Sequence, residues 1–285
     1  TRKESSAASD VYKRQGQESL GDDPNARKQT QAVAVVTFAD RIVFDNCKFI
    51  GRQDTLYLKG ASIGQMTPGV NEARVYLKDC YVEGTVDFIF GDSTAVFDNC
   101  ELRMAYYTNG GHYTAANTNL ESLGYVFNNC KLTIDEAYKP YIDSATGKFK
   151  LDEKGKPVKN IDLGRPWQAD HTYPYFGSQT VFNNCKMDPA IAATGWSVWD
   201  TNTVTNKVRY MEYNSMDLQG NLVDLSSRLD WIRILKADQA AAYNTVNVLW
   251  GSDGWNPSKG QAITSVEVAD IPPDLYKVEL PQGEK

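Results

Sequence analysis

"VFNNCKL", residues 126–132, has three near-copies in the chain: "VFDNCKF" at 43–49, "VFDNCEL" at 96–102 and "VFNNCKM" at 181–187. "VYLKDCYV" at 75–82 is a looser fifth copy, and all 5 cysteines fall at this one place in the repeat. Each copy reads as a short β-branched or aromatic strand, an Asn or Asp turn, and a second short strand. Successive cysteines are 33, 20, 30 and 55 residues apart. Uneven spacing around a constant motif is the pattern of coils of similar size that carry loops of different length. Such a coil cannot bury its inner face alone and stacks on the next. The expected fold is all-β, a right-handed single-stranded parallel β-helix, with Asn and Cys ladders along its turns and interior. A β-sandwich would need alternating hairpins, and Asn-Gly and Asp-Gly signals are few.

One cysteine per coil reads as a small buried core residue, because the count is odd and no CxxC metal pair exists. Cys80 and Cys100 stand about one coil apart. Rungs roughly 4.8 Å apart bring that pair within disulfide reach in an oxidising compartment. The chain has 285 residues, 41% hydrophobic and 11% aromatic, which supplies ample core and excludes a disordered polymer. Its apolar runs are too short to span a membrane, and a net charge of -6 argues against nucleic acid as a partner. A monomer is expected.

The repeat also aligns two carboxylates. Asp54, in "GRQDTLYL" at 51–58, lies seven residues after Cys47, and Asp87, in "GTVDFIFG" at 84–91, seven after Cys80. Equal offsets place them side by side on consecutive coils, about 5 Å apart. Two adjacent carboxylates cannot both ionise cheaply, so one keeps its proton while the other stays charged. Asp87 sits within the apolar run Val86-Asp87-Phe88-Ile89-Phe90, a costly place for a charge without a partner or a task. There is no GxSxG elbow, and His112 and His171 lie in polar stretches without metal spacing, so both read as surface residues. Carboxylates at this separation also fit a retaining glycosidase, and the chemistry alone leaves both reaction classes open.

"QAVA" at 31–34, "GRQDTLYL" at 51–58, "YVEGTVDFIFG" at 81–91, "LGRPW" at 163–167 and "GWSVW" at 195–199 together resemble the pectin methylesterases. The resemblance implies hydrolysis of methyl esters of pectin (methylated homogalacturonan) to pectate and methanol, with no metal or organic cofactor. By position, Asp87 resembles the family's nucleophile and Asp54 its general acid and base. Gln31 and Gln53 match the amides that stabilise an oxyanion, and Arg165 the arginine that pairs with the nucleophile. Trp167, Trp199, Phe90 and Val86 match substrate-binding positions. Asp170 departs from the pattern, standing where the family often has a hydroxyl or basic residue, which puts that subsite's preference in doubt. The family carries further coils before "QAVA", so the β-helix is expected to lack its N-terminal coils. An extracellular or periplasmic location follows from the family and from no leader in the sequence.

Residues 1–30 are polar and aperiodic and read as a disordered or non-native segment; the catalytic β-helix is expected over 31–257 and an extended tail over 258–285. Residues 138–162, with six lysines and Gly/Pro breaks, read as an excursion from the coil, a hairpin or solvated loop. Its alternative role is a lysine rim for the free carboxylates of de-esterified pectin. "KADQAAAYNT" at 236–245 reads as one short helix. Two other functions remain open on sequence: a β-helix hydrolase or lyase that cleaves the pectin chain, and a non-catalytic polysaccharide-binding β-helix.

Overall fold

The Asn or Asp of each repeat is what makes the chain coil. Asn46, Asp79, Asn99, Asn129 and Asn184 all take the left-handed backbone conformation, with φ between 52° and 55°. Asn and Asp tolerate that region better than other residues with a Cβ, and each turns the chain sharply between two strands. The turns do not interrupt the ladder. The N–H of each of these five residues donates to a carbonyl of the following coil at 2.9–3.0 Å.

The computed structural model describes residues 31–60, 73–120, 122–172, 175–251 and 253–260. The first coil contains β1 (Val35–Thr37), β2 (Ile42–Asp45) and β3 (Lys48–Ile50). The second contains β4 (Leu56–Leu58), β5 (Arg74–Lys78) and β6 (Tyr81–Gly84). β7 (Ile89–Gly91), β8 (Thr94–Asp98) and β9 (Glu101–Met104) form the third. β10 (Gly110–Ala116), β11 (Tyr125–Asn128) and β12 (Lys131–Ile134) form the fourth, and β13 (Asn160–Gly164), β14 (Ser178–Asn183) and β15 (Lys186–Met187) the fifth. β16 (Val208–Tyr213) and β17 (Met216–Asp217) follow, then β18 (Arg233–Ile234). Up to β15 every third strand joins the same sheet, and from there every second. The orders are β1-β4-β7-β10-β13, β2-β5-β8-β11-β14-β16-β18 and β3-β6-β9-β12-β15-β17. Among the described residues every strand pairing within these sheets is parallel, for example Val126↔Val181 and Leu56↔Ile89. This is a parallel β-helix, as the repeat predicts.

A sixth copy of the repeat lies at 211–216, "MEYNSM", where Asn214 has φ 49° and Ser215 takes the cysteine's place. Serine for cysteine and the loss of the Val-Phe start hide it from a reading keyed on "VF-N-C". Inside the coil, Phe97, Phe127 and Phe182 stack with ring centroids 4.5 and 4.6 Å apart. Outside, Tyr76, Val96, Val126, Val181 and Met211 form a second apolar stripe, covered by the C-terminal segment. Strands buried on both faces read as continuous apolar runs, which is why "VF" recurs. The cover contains two short helices where one was expected, α1 (Ala237–Ala241) and α2 (Thr245–Leu249). Asn244 divides them: its side chain accepts from the N–H of Asn247 and caps the second helix.

The five cysteines are buried free thiols, and the expected Cys80–Cys100 bridge is not formed. In an in-register parallel ladder neighbouring Cβ atoms point the same way about 4.8 Å apart, beyond the 3.5–4.5 Å a disulfide spans. The thiols of Cys80, Cys100, Cys130 and Cys185 turn to a carbonyl of the preceding coil instead, for example Cys100 Sγ to Leu77 at 3.5 Å and Cys130 Sγ to Phe97 at 3.3 Å. The lysine-rich excursion is a short 3-10 helix, Glu136–Tyr141, followed by antiparallel bridges Ile142↔Phe149 and Leu151↔Pro157. It is a hairpin-like excursion, but not simply solvated. Lys159 is buried, with its ammonium 4.3 Å from the centre of the Tyr141 ring. The 1–30 segment and residues 261–285 of the tail lie outside the described residues.

Because Asn129 occupies the left-handed turn, Asn129→Gly is expected to leave stability near that of the parent, whereas Asn129→Val should lower it by about 1–2 kcal/mol. Urea unfolding of the two variants checks this.

Candidate active site

The site forms on the outer face of the five-stranded sheet, where two bends precede two strands. Asp54 closes the bend before β4 and Asp87 the bend before β7, with φ of 61° and 53°. Asp87 is therefore not in mid-strand, as the apolar run suggests. A left-handed bend at Asp87 turns its carboxylate outward while Phe88 enters the core. Thr55 ties the two bends: its hydroxyl lies 3.0 Å from both the Arg52 and the Glu83 carbonyls. Only glycine leaves room for it, since a Cβ at Gly84 would fall 2.6 Å from Thr55 Oγ1. The recurring Gly three residues before each Asp is thus a packing requirement.

The register Leu56↔Ile89 and the bond from Asp54 N–H to the Val86 carbonyl, 3.1 Å, set the two aspartates on neighbouring rungs. Both are buried, at 7% and 3% exposure. Arg165 grips Asp87 with two parallel bonds, Nε to Oδ1 at 2.9 Å and Nη2 to Oδ2 at 2.6 Å. The arginine hangs just after β13, its N–H on the Thr114 carbonyl at 3.1 Å, and reaches across β10 to the coil beyond. Ala115, in register with Phe90, is the short side chain it crosses. A bidentate guanidinium makes a buried carboxylate tenable as an anion. Asp54 has no such grip. Burial first, then the Asp87 charge, push its carboxyl up to about 7, against a smaller lowering by Arg165. The pair therefore holds one charged carboxylate beside one that keeps its proton close to neutrality.

Aromatic rings run along the coil axis beside the pair. Tyr57 stacks on Phe90 at 4.4 Å, Phe90 lies 5.9 Å from Trp167, and Trp167 stacks on Trp199 at 6.3 Å. Trp199 also covers the Arg165 guanidinium at 4.2 Å. Gln168 braces the two tryptophan loops, its carboxamide bonding both the carbonyl and the N–H of Val204 at 3.1 and 2.8 Å. Beyond them opens a groove of about 380 Å³ lined by Trp167, His171, Trp199, Asp200 and Asn202. Tyr57 was not among the residues singled out from sequence, although it follows Asp54 by three as Phe90 follows Asp87. Gln53 lies in the Asp54 bend and is half-buried; Gln31 is exposed, one residue before Ala32, whose N–H meets the Gln53 carbonyl at 3.3 Å. Val86 is half-buried in the Asp87 bend. His171 is exposed as expected and stacks on Phe176 at 4.7 Å. His112 is not a surface residue: its side chain is 17% exposed and stands 3.3 Å from Asp162.

The pectinesterase family profile matches residues 22–252. This chain belongs to the pectinesterase family. It is 34% identical over 215 residues to "Pectinesterase 31" of Arabidopsis thaliana, covering 75% of this chain and 54% of that protein. It is 31% identical to "Probable pectinesterase/pectinesterase inhibitor 64" of the same plant, covering 79% of this chain and 33% of that one. The chain thus spans between about a third and about half of these relatives. Among solved structures, a pectin methylesterase from Erwinia chrysanthemi superposes with TM-score 0.56 at 30% identity, covering 85% of this chain and 66% of that one. The carrot pectin methylesterase, TM-score 0.60 at 23% identity and covering 79% and 61%, shares the fold.

The carboxyl of Asp54 is expected to titrate near pH 7. Asp87→Asn removes the neighbouring negative charge and should lower that midpoint; Arg165→Gln removes the positive one and should raise it. Infrared titration of the carboxyl band in the three proteins measures both shifts.

Proposed function

We propose that this chain hydrolyses methyl esters of pectin to pectate and methanol. The observation that carries the reading is the asymmetry of the pair: Asp87 held as an anion by Arg165, and Asp54 left able to carry a proton. A pectin methylesterase superposed at 28% identity and TM-score 0.55 was solved in complex with a hexasaccharide, which supports a galacturonan chain as substrate.

In this mechanism an Asp87 oxygen attacks the carbonyl carbon of a methyl ester. The carboxamides of Gln53 and Gln31 donate to the oxyanion, and Asp54 protonates the departing methoxide to methanol. An anhydride links the galacturonate to Asp87. Asp54, now a carboxylate, takes a proton from water, whose oxygen attacks the galacturonate carbonyl. The carboxylic acid product leaves, and Asp87 returns as an anion with Asp54 protonated. Trp167, Trp199 and Phe90 offer ring faces to successive sugars, and Val86 an apolar wall to the methyl group. No step calls on a metal or an organic cofactor. A monomer secreted to the extracellular or periplasmic space suits a polymer of this size, and neither nucleic acid nor membrane has a role.

Incubation with highly methylated pectin should release methanol without a matching rise in reducing ends or unsaturated uronides, with or without chelator. Reducing ends or unsaturated product without methanol would point to a chain-cleaving enzyme, and binding without product to a polysaccharide-binding module. Arg165→Lys should lose most activity, because a mobile point charge replaces a planar two-bond grip.

Asp87→Asn should abolish turnover, while Asp54→Asn should lose about a hundred- to ten-thousandfold and leave an acyl adduct on Asp87 visible by mass spectrometry. Acylation needs the protonated form of Asp54, so with a carboxyl near 7 the rate of methanol release should fall as pH rises through neutrality. Substantial activity in Asp87→Asn would sink the mechanism.

A further inference from the structure

His112 and Asp162 stand outside the roles assigned above. Nδ1 of His112 lies 3.3 Å from Asp162 Oδ2, across β10 and β13, within ion-pair range but outside hydrogen-bond geometry. The Asp162 side chain is 1% exposed, and its Oδ2 also accepts from Asn160 Nδ2 at 2.7 Å. A carboxylate buried so completely is costly unless it serves a purpose.

β10 holds both halves of the Arg165–Asp87 contact. At its start it supports the Asp87 bend: His112 N–H donates to the Thr85 carbonyl at 3.2 Å, and a Cβ on Gly111 would come within 2.2 Å of that same oxygen. Further along it supports the arginine, through Arg165 N–H to the Thr114 carbonyl at 3.1 Å and Trp167 N–H to the Ala116 carbonyl at 3.0 Å. Cross-strand side-chain pairs are the units that fix one strand on the next. Among the described register pairs of these two strands, Gly110↔Asn160, Gly111↔Ile161 and Thr114↔Gly164 each contain a glycine. His112↔Asp162 is the pair that has side chains on both strands.

We infer that His112 and Asp162 are a positioning pair that locks β13 onto β10 and so holds the Arg165 guanidinium against Asp87. The chain enters β13 directly from the lysine-rich excursion, so the pair sits where the strand has to find its place. Arg165 then reaches across a whole coil, and a small rotation of β13 is magnified at the guanidinium. Misplacement by about 1 Å can cost on the order of a hundredfold in rate. The structural half of this inference is independent of the esterase reading; its kinetic half rests on it.

The test compares His112→Ala, His112→Asn, which returns a nitrogen near the Nδ1 position, and Asp162→Asn, which preserves shape should the alanine variant fail to fold. The first readout is hydrogen exchange at Arg165 Nε, bonded to Asp87 Oδ1 at 2.9 Å in the parent, with Arg165→Lys assigning the resonance. Exchange should be about tenfold faster in His112→Ala and Asp162→Asn and near parental in His112→Asn. The second readout is methanol release. In the two damaged variants kcat should fall roughly ten- to hundredfold with KM nearly unchanged. The alkaline limb of the pH profile should also move upward, because the positive charge that lowers the Asp54 carboxyl has moved away. Parental Arg165 exchange and a parental limb in both damaged variants would overturn the inference, whatever their melting temperatures. Faster exchange in the variants of a parent that releases no methanol would uphold the positioning role and overturn the functional reading instead.

Discussion

In-register parallel stacking, one rung per coil, is the constraint from which the other features of this molecule follow. It holds because a left-handed Asn or Asp recurs at the same point of each coil and passes its N–H to the next. Once register is fixed, any residue type repeated at one position becomes a row along the axis. Cysteines form a row of thiols, phenylalanines a stack at 4.5–4.6 Å, and Tyr57 and Phe90 a stacked pair on the outer face. The two aspartates are the same device, a stacked pair of carboxylates. No loop needs to fold over to bring them together; the second copy of a bend suffices.

Stacking like on like has an electrostatic cost when the row is charged, and the site shows how that cost is handled. Arg165 binds Asp87 through both oxygens while acting on Asp54 only at a distance. The neighbour's fixed negative charge then adds to the burial of Asp54 and drives its carboxyl up to about 7. One cation, placed off-centre, makes two equivalent residues unequal. Trp199 over the guanidinium and Gln168 between the tryptophan loops keep that cation where it must be.

The coil pattern and the dyad were legible in the sequence because both are local and repeated. "VFNNCKL" carries strand, turn and strand within seven residues, and the shared offset from Cys47 and Cys80 carries the register. Other features depended on what the local pattern omits. The left-handed bend at Asp87 interrupts an apolar run that reads as unbroken strand, and only the room left by Gly84 for Thr55 shows why. One rung of separation suits the Cα atoms of a Cys80–Cys100 bridge, but the parallel Cβ bonds that keep the Cβ atoms too far apart are a property of the ladder, not of the spacing. Asn244 could be read as a helix residue or as a cap, and the packing against the outer stripe chose the cap. His112 and Asp162 are 50 residues apart with no motif between them, so their contact belongs to the topology alone.

The aromatic row follows the same logic one step further. Tyr57 and Phe90 stack because each lies three residues beyond its aspartate, on successive rungs. The row could not continue on the fourth coil without blocking the arginine, and there the register position is Ala115. It resumes with Trp167, two residues past Arg165, so that the ring stands beside the guanidinium's path and not on it. A solenoid gives rows at no extra cost in folding information. What distinguishes this face is the single rung where the row is broken, because through that gap Arg165 reaches Asp87.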